Sequence, residues 1–86
     1  MIAYPAVLFP PDVHGTVGCA IPDLLVNASG RDADDALRDA AGIMAELLSD
    51  MARKGEPFPD PTPSQDVDLM GGTLVLVTAQ PPSQAA

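Results

Sequence analysis

The side chains of this 86-residue chain that could do acid–base, nucleophilic or metal chemistry are twelve carboxylates, one histidine and one cysteine. Nucleophilic catalysis requires a base beside the nucleophile, and His14 sits next to Gly15 in a stretch that reads as a surface turn. Cys19 falls within an apolar run, where a lone cysteine serves as a small core residue, and by itself it closes no internal disulfide. Cys and His have no zinc-type spacing, and Gly71-Gly72 precedes a strand-like run rather than the helix a phosphate loop requires. Carboxylates hold divalent metals for phosphoryl chemistry only when they converge from several elements. Here most of them fall on one helix face, so no catalytic residue, metal or cofactor is expected.

That helix is the clearest element. Asp32 is a favoured N-cap, Asp34 and Asp35 suit the positive end of the helix dipole, Arg53 and Lys54 suit the negative end, and Gly55 is a natural stop. Between them Ala33, Ala36, Leu37, Ala40, Met44, Leu47, Leu48 and Met51 recur at three- and four-residue spacing, which places them on one stripe of a helix of about six turns. On the opposite side Asp32, Asp35, Asp39, Glu46 and Asp50 share a narrow sector. Asp35, Asp39, Glu46 and Asp50 are the candidate partner-binding residues, although an acidic outer face is also what any solvated helix shows.

The strands are read from apolar runs and their breakers. Ile2 to Phe9 and Thr16 to Ile21 form two antiparallel strands joined through Pro10-Pro11-Asp12, with regular pairing expected from Ala6 onward because Pro5 cannot donate to a ladder. Leu24 to Ala28 can form a short third strand after the Pro22-Asp23 break. Beyond the helix, four prolines in Glu56 to Ser64 forbid regular structure and can carry the chain back along the domain. Thr73 to Ala79 is the last strand. Its consecutive Leu74, Val75, Leu76 and Val77 lack the alternation of a half-exposed strand, so both faces are expected to be covered. One helix covers one face, and these four residues are therefore the candidate interface for a homo-oligomer, a dimer or tetramer.

Composition narrows the partners. The apolar fraction is 47% with only three aromatic residues, so the core is built from aliphatic side chains. A chain this short buries about 60–65% of its unfolded surface and has little stability to spare. The net charge of −8 repels phosphate backbones and anionic lipid, favours a basic partner, and argues against direct nucleic-acid binding. No segment reaches the roughly 18 apolar residues of a membrane span, and no leader is evident, so the cytoplasm is expected.

Several short motifs follow one another in order: Tyr4-Pro5-Ala6-Val7, Ile21-Pro22-Asp23-Leu24, Asp34-Asp35-Ala36-Leu37, and Gly55-Glu56-Pro57-Phe58-Pro59-Asp60-Pro61. With these the chain resembles the HicB antitoxin family over roughly residues 2 to 79, although Leu25-Val26-Asn27 replaces the family's usual Pro-Gly-Cys. The resemblance implies an α+β, β-β-β-α-β fold of degraded RNase H-like type: a mixed sheet ordered 3-2-1-4, the helix on one face, and the last strand parallel to the first. It further implies neutralisation of a small basic HicA-type RNase toxin. Many relatives add a C-terminal DNA-binding domain.

The expectation is thus a single HicB-like domain over residues 1–80, a disordered tail over 81–86 and no DNA-binding domain. Its role is that of an antitoxin, or alternatively of an orphan homo-oligomeric scaffold without a toxin. A third reading, a metal-dependent nuclease using Asp23 or Asp35, has against it the absence of any acid in the first strand.

Overall fold

The structure, a computed structural model, describes residues 2–79. The expected tail at 81–86 lies outside them. Four strands and one helix follow in the order β1 (Ile2–Leu8), β2 (Val17–Ile21), β3 (Val26–Gly30), α1 (Ala33–Lys54) and β4 (Thr73–Ala79). The sheet order is β3-β2-β1-β4, with α1 packed on one face.

Every neighbouring pair is antiparallel, including β1 with β4, where Ile2 lies opposite Ala79 and Leu8 opposite Thr73. The mixed sheet, with its last strand parallel to the first, is therefore corrected to a fully antiparallel one. The cause is the Pro-rich segment. At about 1.5 Å per residue the 22-residue helix runs about 33 Å against about 24 Å for the seven-residue β1, and it leaves the chain at the end of the sheet where β1 begins. The chain then returns over residues 55–72 and enters β4 from the end where β1 finished. The helix alone is not the crossover.

Two local features shift the strands from their expected positions. Pro22–Leu24 closes into a 3-10 turn, with Leu25 in the left-handed region (φ 55°) and its N–H donating to the Pro22 carbonyl at 3.2 Å. The third strand accordingly begins at Val26 and runs to Gly30, two residues later than the apolar pattern suggests. Pro5, for its part, costs the ladder nothing. The Phe9 N–H donates to Gly18 of β2, and N–H groups alternate along a strand, so the Pro5 nitrogen points to the same edge, past the end of β2 at Ile21.

The core lies between sheet and helix. Tyr4 and Ala6 of β1, Val17, Cys19 and Ile21 of β2, Val26 of β3 and Val77 of β4 meet Ala36, Ala40, Met44 and Leu48 of α1. The four helix residues recur every fourth position, and the two alanines let the first turns approach the sheet closely. Gly30 is part of that approach, since a Cβ there would lie 2.7 Å from the Asp35 carbonyl carbon. The helix ends are closed as expected: Asp32 accepts from the Asp35 N–H at 2.8 Å, while Gly55 and Glu56 donate back to Ala52 and Met51.

The other sheet face is covered in part by the chain itself. Pro5 and Val7 are buried there, although their side chains point away from the helix. Pro5 lines a small cavity together with Thr62, Val67 and Met70 of the returning segment, and Gly72 passes so close that a Cβ on it would sit 2.5 Å from Val7 Cγ1. Tyr4 and Asp23 fasten this segment. The Tyr4 hydroxyl donates to the Pro59 carbonyl, and the Asp23 carboxylate accepts from the Thr62 N–H at 2.9 Å and the Thr62 hydroxyl at 2.6 Å.

Candidate functional site

The outer face of α1 carries the acids Asp35, Asp39, Glu46 and Asp50, held in line by the helix that Asp32 and Gly55 terminate. They differ in how much of their charge is free to meet a partner. Asp35 accepts the Arg31 N–H at 3.0 Å and pairs with the Arg31 guanidinium at 3.5 Å; the backbone hydrogen bond, then the cation, hold its carboxyl below the usual range. Asp50 accepts from Arg53 at 2.8 Å and Lys54 at 3.1 Å, and hydrogen bonds from Lys54 first and Arg53 second likewise lower its pKa. Asp39 leans the other way, over the sheet, and accepts the Ser29 N–H of β3 at 3.3 Å. Glu46 has no ion pair or hydrogen bond among the described residues. It borders a shallow surface depression with Ser49, Asp50 and Arg53.

The ridge is therefore continuous in space but uneven in charge. Glu46 and Asp39 present uncompensated carboxylates, whereas Asp35 and Asp50 are each tied to neighbouring cations. The sequence pattern shows the alignment of the four acids; the back-donation of Ser29 to Asp39 depends on how helix and sheet meet.

The four apolar residues of β4 divide between the two faces. Val75 and Val77 pack on the helix side, Val77 fully buried, so they belong to the domain's own core. Leu74 and Leu76 project from the other face, Leu74 half-buried and Leu76 61% exposed. The run of four consecutive apolar residues thus reflects one face closed by the helix and one left open at Leu76. Three further large apolar side chains are exposed in connecting segments: Val13, Leu25 and Met70.

The remaining chemistry-bearing side chains are placed by the fold in structural surroundings. Cys19 is buried in β2, where burial raises its thiol pKa. Asp23 is occupied by Thr62, a partnership between distant segments that leaves no local spacing signal. His14 lies in the turn before Gly15, its backbone N–H donating to the Asp12 carboxylate at 2.8 Å. Among the described residues, no three His, Cys, Asp or Glu side chains gather as a metal site requires, and no helix is long and apolar enough to cross a membrane.

No family model matches the chain, and no curated protein does. Among solved structures it is similar to the crystal structure of the Burkholderia pseudomallei antitoxin HicB, with 19% sequence identity and a TM-score of 0.77 over 92% of this chain. It is also similar to the crystal structure of the N-terminal domain of that antitoxin, with 18% identity and a TM-score of 0.79, covering 92% of this chain and 99% of the domain. The chain spans 64% of the length of the first of these. The ordered sequence motifs and the superposed backbones point the same way: residues 2–79 have the fold of the HicB antitoxin N-terminal domain.

Proposed function

We propose that this chain is an antitoxin-like protein that binds and neutralises a small basic RNase toxin of the HicA type, in the cytoplasm and without catalytic chemistry of its own. The observation that carries this reading is the likeness of fold, which takes in almost the whole HicB N-terminal domain. The net charge of −8 and the exposed Glu46 and Asp39 supply the electrostatic complement to a basic, RNA-binding surface, with Asp35 and Asp50 as its less charged flanks. Such a partner is steered by the acids and held by whatever apolar contact surrounds them.

Co-expression of the chain with any small basic protein encoded beside it, followed by pull-down and an RNA-cleavage assay, tests the reading. Stoichiometric capture with loss of cleavage is the expected result. Failure of every adjacent small basic protein to bind would overturn it. Exchanging Glu46→Lys together with Asp39→Lys is expected to weaken capture by at least about tenfold, a loss of ~1.4 kcal/mol; unchanged affinity in the folded variant would remove the helix face from the interface. The alternative role, a homo-oligomeric scaffold with no toxin, is favoured by one observation, the exposed apolar Leu76.

A further inference from the structure

The two edges of the sheet are finished differently. In β3 the backbone groups turned away from β2 belong to Asn27 and Ser29, because Val26, Ala28 and Gly30 form the hydrogen-bonded pairs with Ile21, Cys19 and Val17. The Asp39 carboxylate of α1 takes the Ser29 N–H, so this five-residue edge is short and partly capped. Nothing comparable occurs at β4. The same alternation assigns Thr73, Val75, Val77 and Ala79 to the ladder with β1, which leaves the N–H and C=O groups of Leu74, Leu76 and Thr78 pointing outward. Among the described residues these outward groups meet no partner.

Edge strands of monomers are normally blunted by charge, proline, a bulge or shortness. β4 has none of these. It is seven residues long, contains no charged residue or proline, and stays in unbroken register with β1 through all seven pairs. No charged residue falls between Asp68 and the end of β4, so two copies of charge −8 can meet along this strand without opposing like charges across it.

We propose that β4 pairs antiparallel with β4 of a second copy, about a two-fold axis through Leu76, to form a continuous eight-stranded sheet. The register follows from the outward groups. Leu76 faces its own mate and Leu74 faces Thr78 of the other copy as hydrogen-bonded pairs, and the strand Thr73–Ala79 is centred on Leu76, so all seven residues take part. On the face away from the helix the two exposed Leu76 side chains cover one another. On the helix side Val75 stands opposite Val77 of the mate, so the two cores abut at the seam. The contact is isologous and closes at two copies, because the two-fold axis pairs each β4 edge with its own counterpart. It uses a surface distinct from the acidic ridge and does not depend on the antitoxin reading.

The test uses the full chain alone. Light scattering at micromolar concentration is expected to give a dimer, and amide hydrogen exchange to show Leu74, Leu76 and Thr78 protected, with protection falling on dilution. Leu76→Lys, at a position already exposed, is expected to keep the circular dichroism of the fold and raise the dimer dissociation constant by at least about tenfold. A monomer with rapid exchange at the three amides overturns the proposal. So does a dimer that survives Leu76→Lys with those amides still unprotected, which would place the contact elsewhere. Protection appearing only when a basic protein partner is added would assign the edge to that partner instead.

Discussion

At Asp23 a carboxylate acts as a fastening and not as an acid or base. Its two oxygens hold the Thr62 N–H and hydroxyl, 39 residues away, and tie the returning Pro-rich segment to the turn that precedes β3. Two hydrogen bonds to a half-exposed carboxylate contribute about 1–2 kcal/mol together. Asp23→Ala is accordingly expected to lower stability to urea by that amount and to speed amide exchange in residues 60–70, with β2 and β3 little changed. Asp35 gives a residue-level pH dependence. Its pKa is lowered in the folded state, so its contribution is present above the ordinary value of 3.8 and is lost as pH falls through the depressed folded value. Helicity measured by circular dichroism is expected to decline through this acid range, and Asp35→Asn to decline less, because the group that loses its partner on protonation has been removed.

At the scale of elements, the helix is over-determined and the strands are not. Asp32, the paired Asp35, the Gly55 terminus and the spacing of Ala36, Ala40, Met44 and Leu48 all specify the same 22 residues, which is why its bounds can be read from the sequence to within a residue. The third strand is displaced because the Pro22–Leu24 turn forces Leu25 into a left-handed conformation, a choice that apolar periodicity does not register. The Pro-rich return reverses the direction of β4. Its prolines announce an extended segment, but the Tyr4 and Asp23 attachments, both far away in sequence, decide where that segment lies.

For the molecule as a whole, two surfaces of opposite character sit on separate parts of the fold, an acidic helix face and an uncharged sheet edge. Their responses to salt differ. Binding of a basic partner through Glu46 and Asp39 is expected to weaken several-fold as ionic strength rises from about 0.05 to 0.5 M, since exposed charges are screened over a Debye length that shortens from about 14 to about 4 Å. Self-association through β4 is expected to be unchanged or strengthened over the same range, because it brings together backbone groups and leucine side chains while the repulsion between two anionic copies is screened. Titration calorimetry of the complex and light scattering of the chain alone, each at the two salt concentrations, separate the surfaces. Equal loss of both would show that they are one interface.

Local chemistry by itself determined the helix, its caps, the alignment of Asp35, Asp39, Glu46 and Asp50 and the positions of three of the four strands, because each depends on spacing within one helix or one strand; that Tyr4 enters an otherwise aliphatic core was not among these. The ordered motifs also pointed to the fold family. Tertiary structure decided the rest: that β4 runs antiparallel to β1, that Val75 and Val77 face inward while Leu76 stays exposed, that Asp39 caps one amide of the β3 edge, and that the outward groups of β4 have no partner among the described residues. The direction and facing of β4 hang on how an 18-residue connection, 55–72, folds back over the sheet. Its path is set by contacts between residues as far apart as Tyr4 and Pro59, which sequence spacing does not encode.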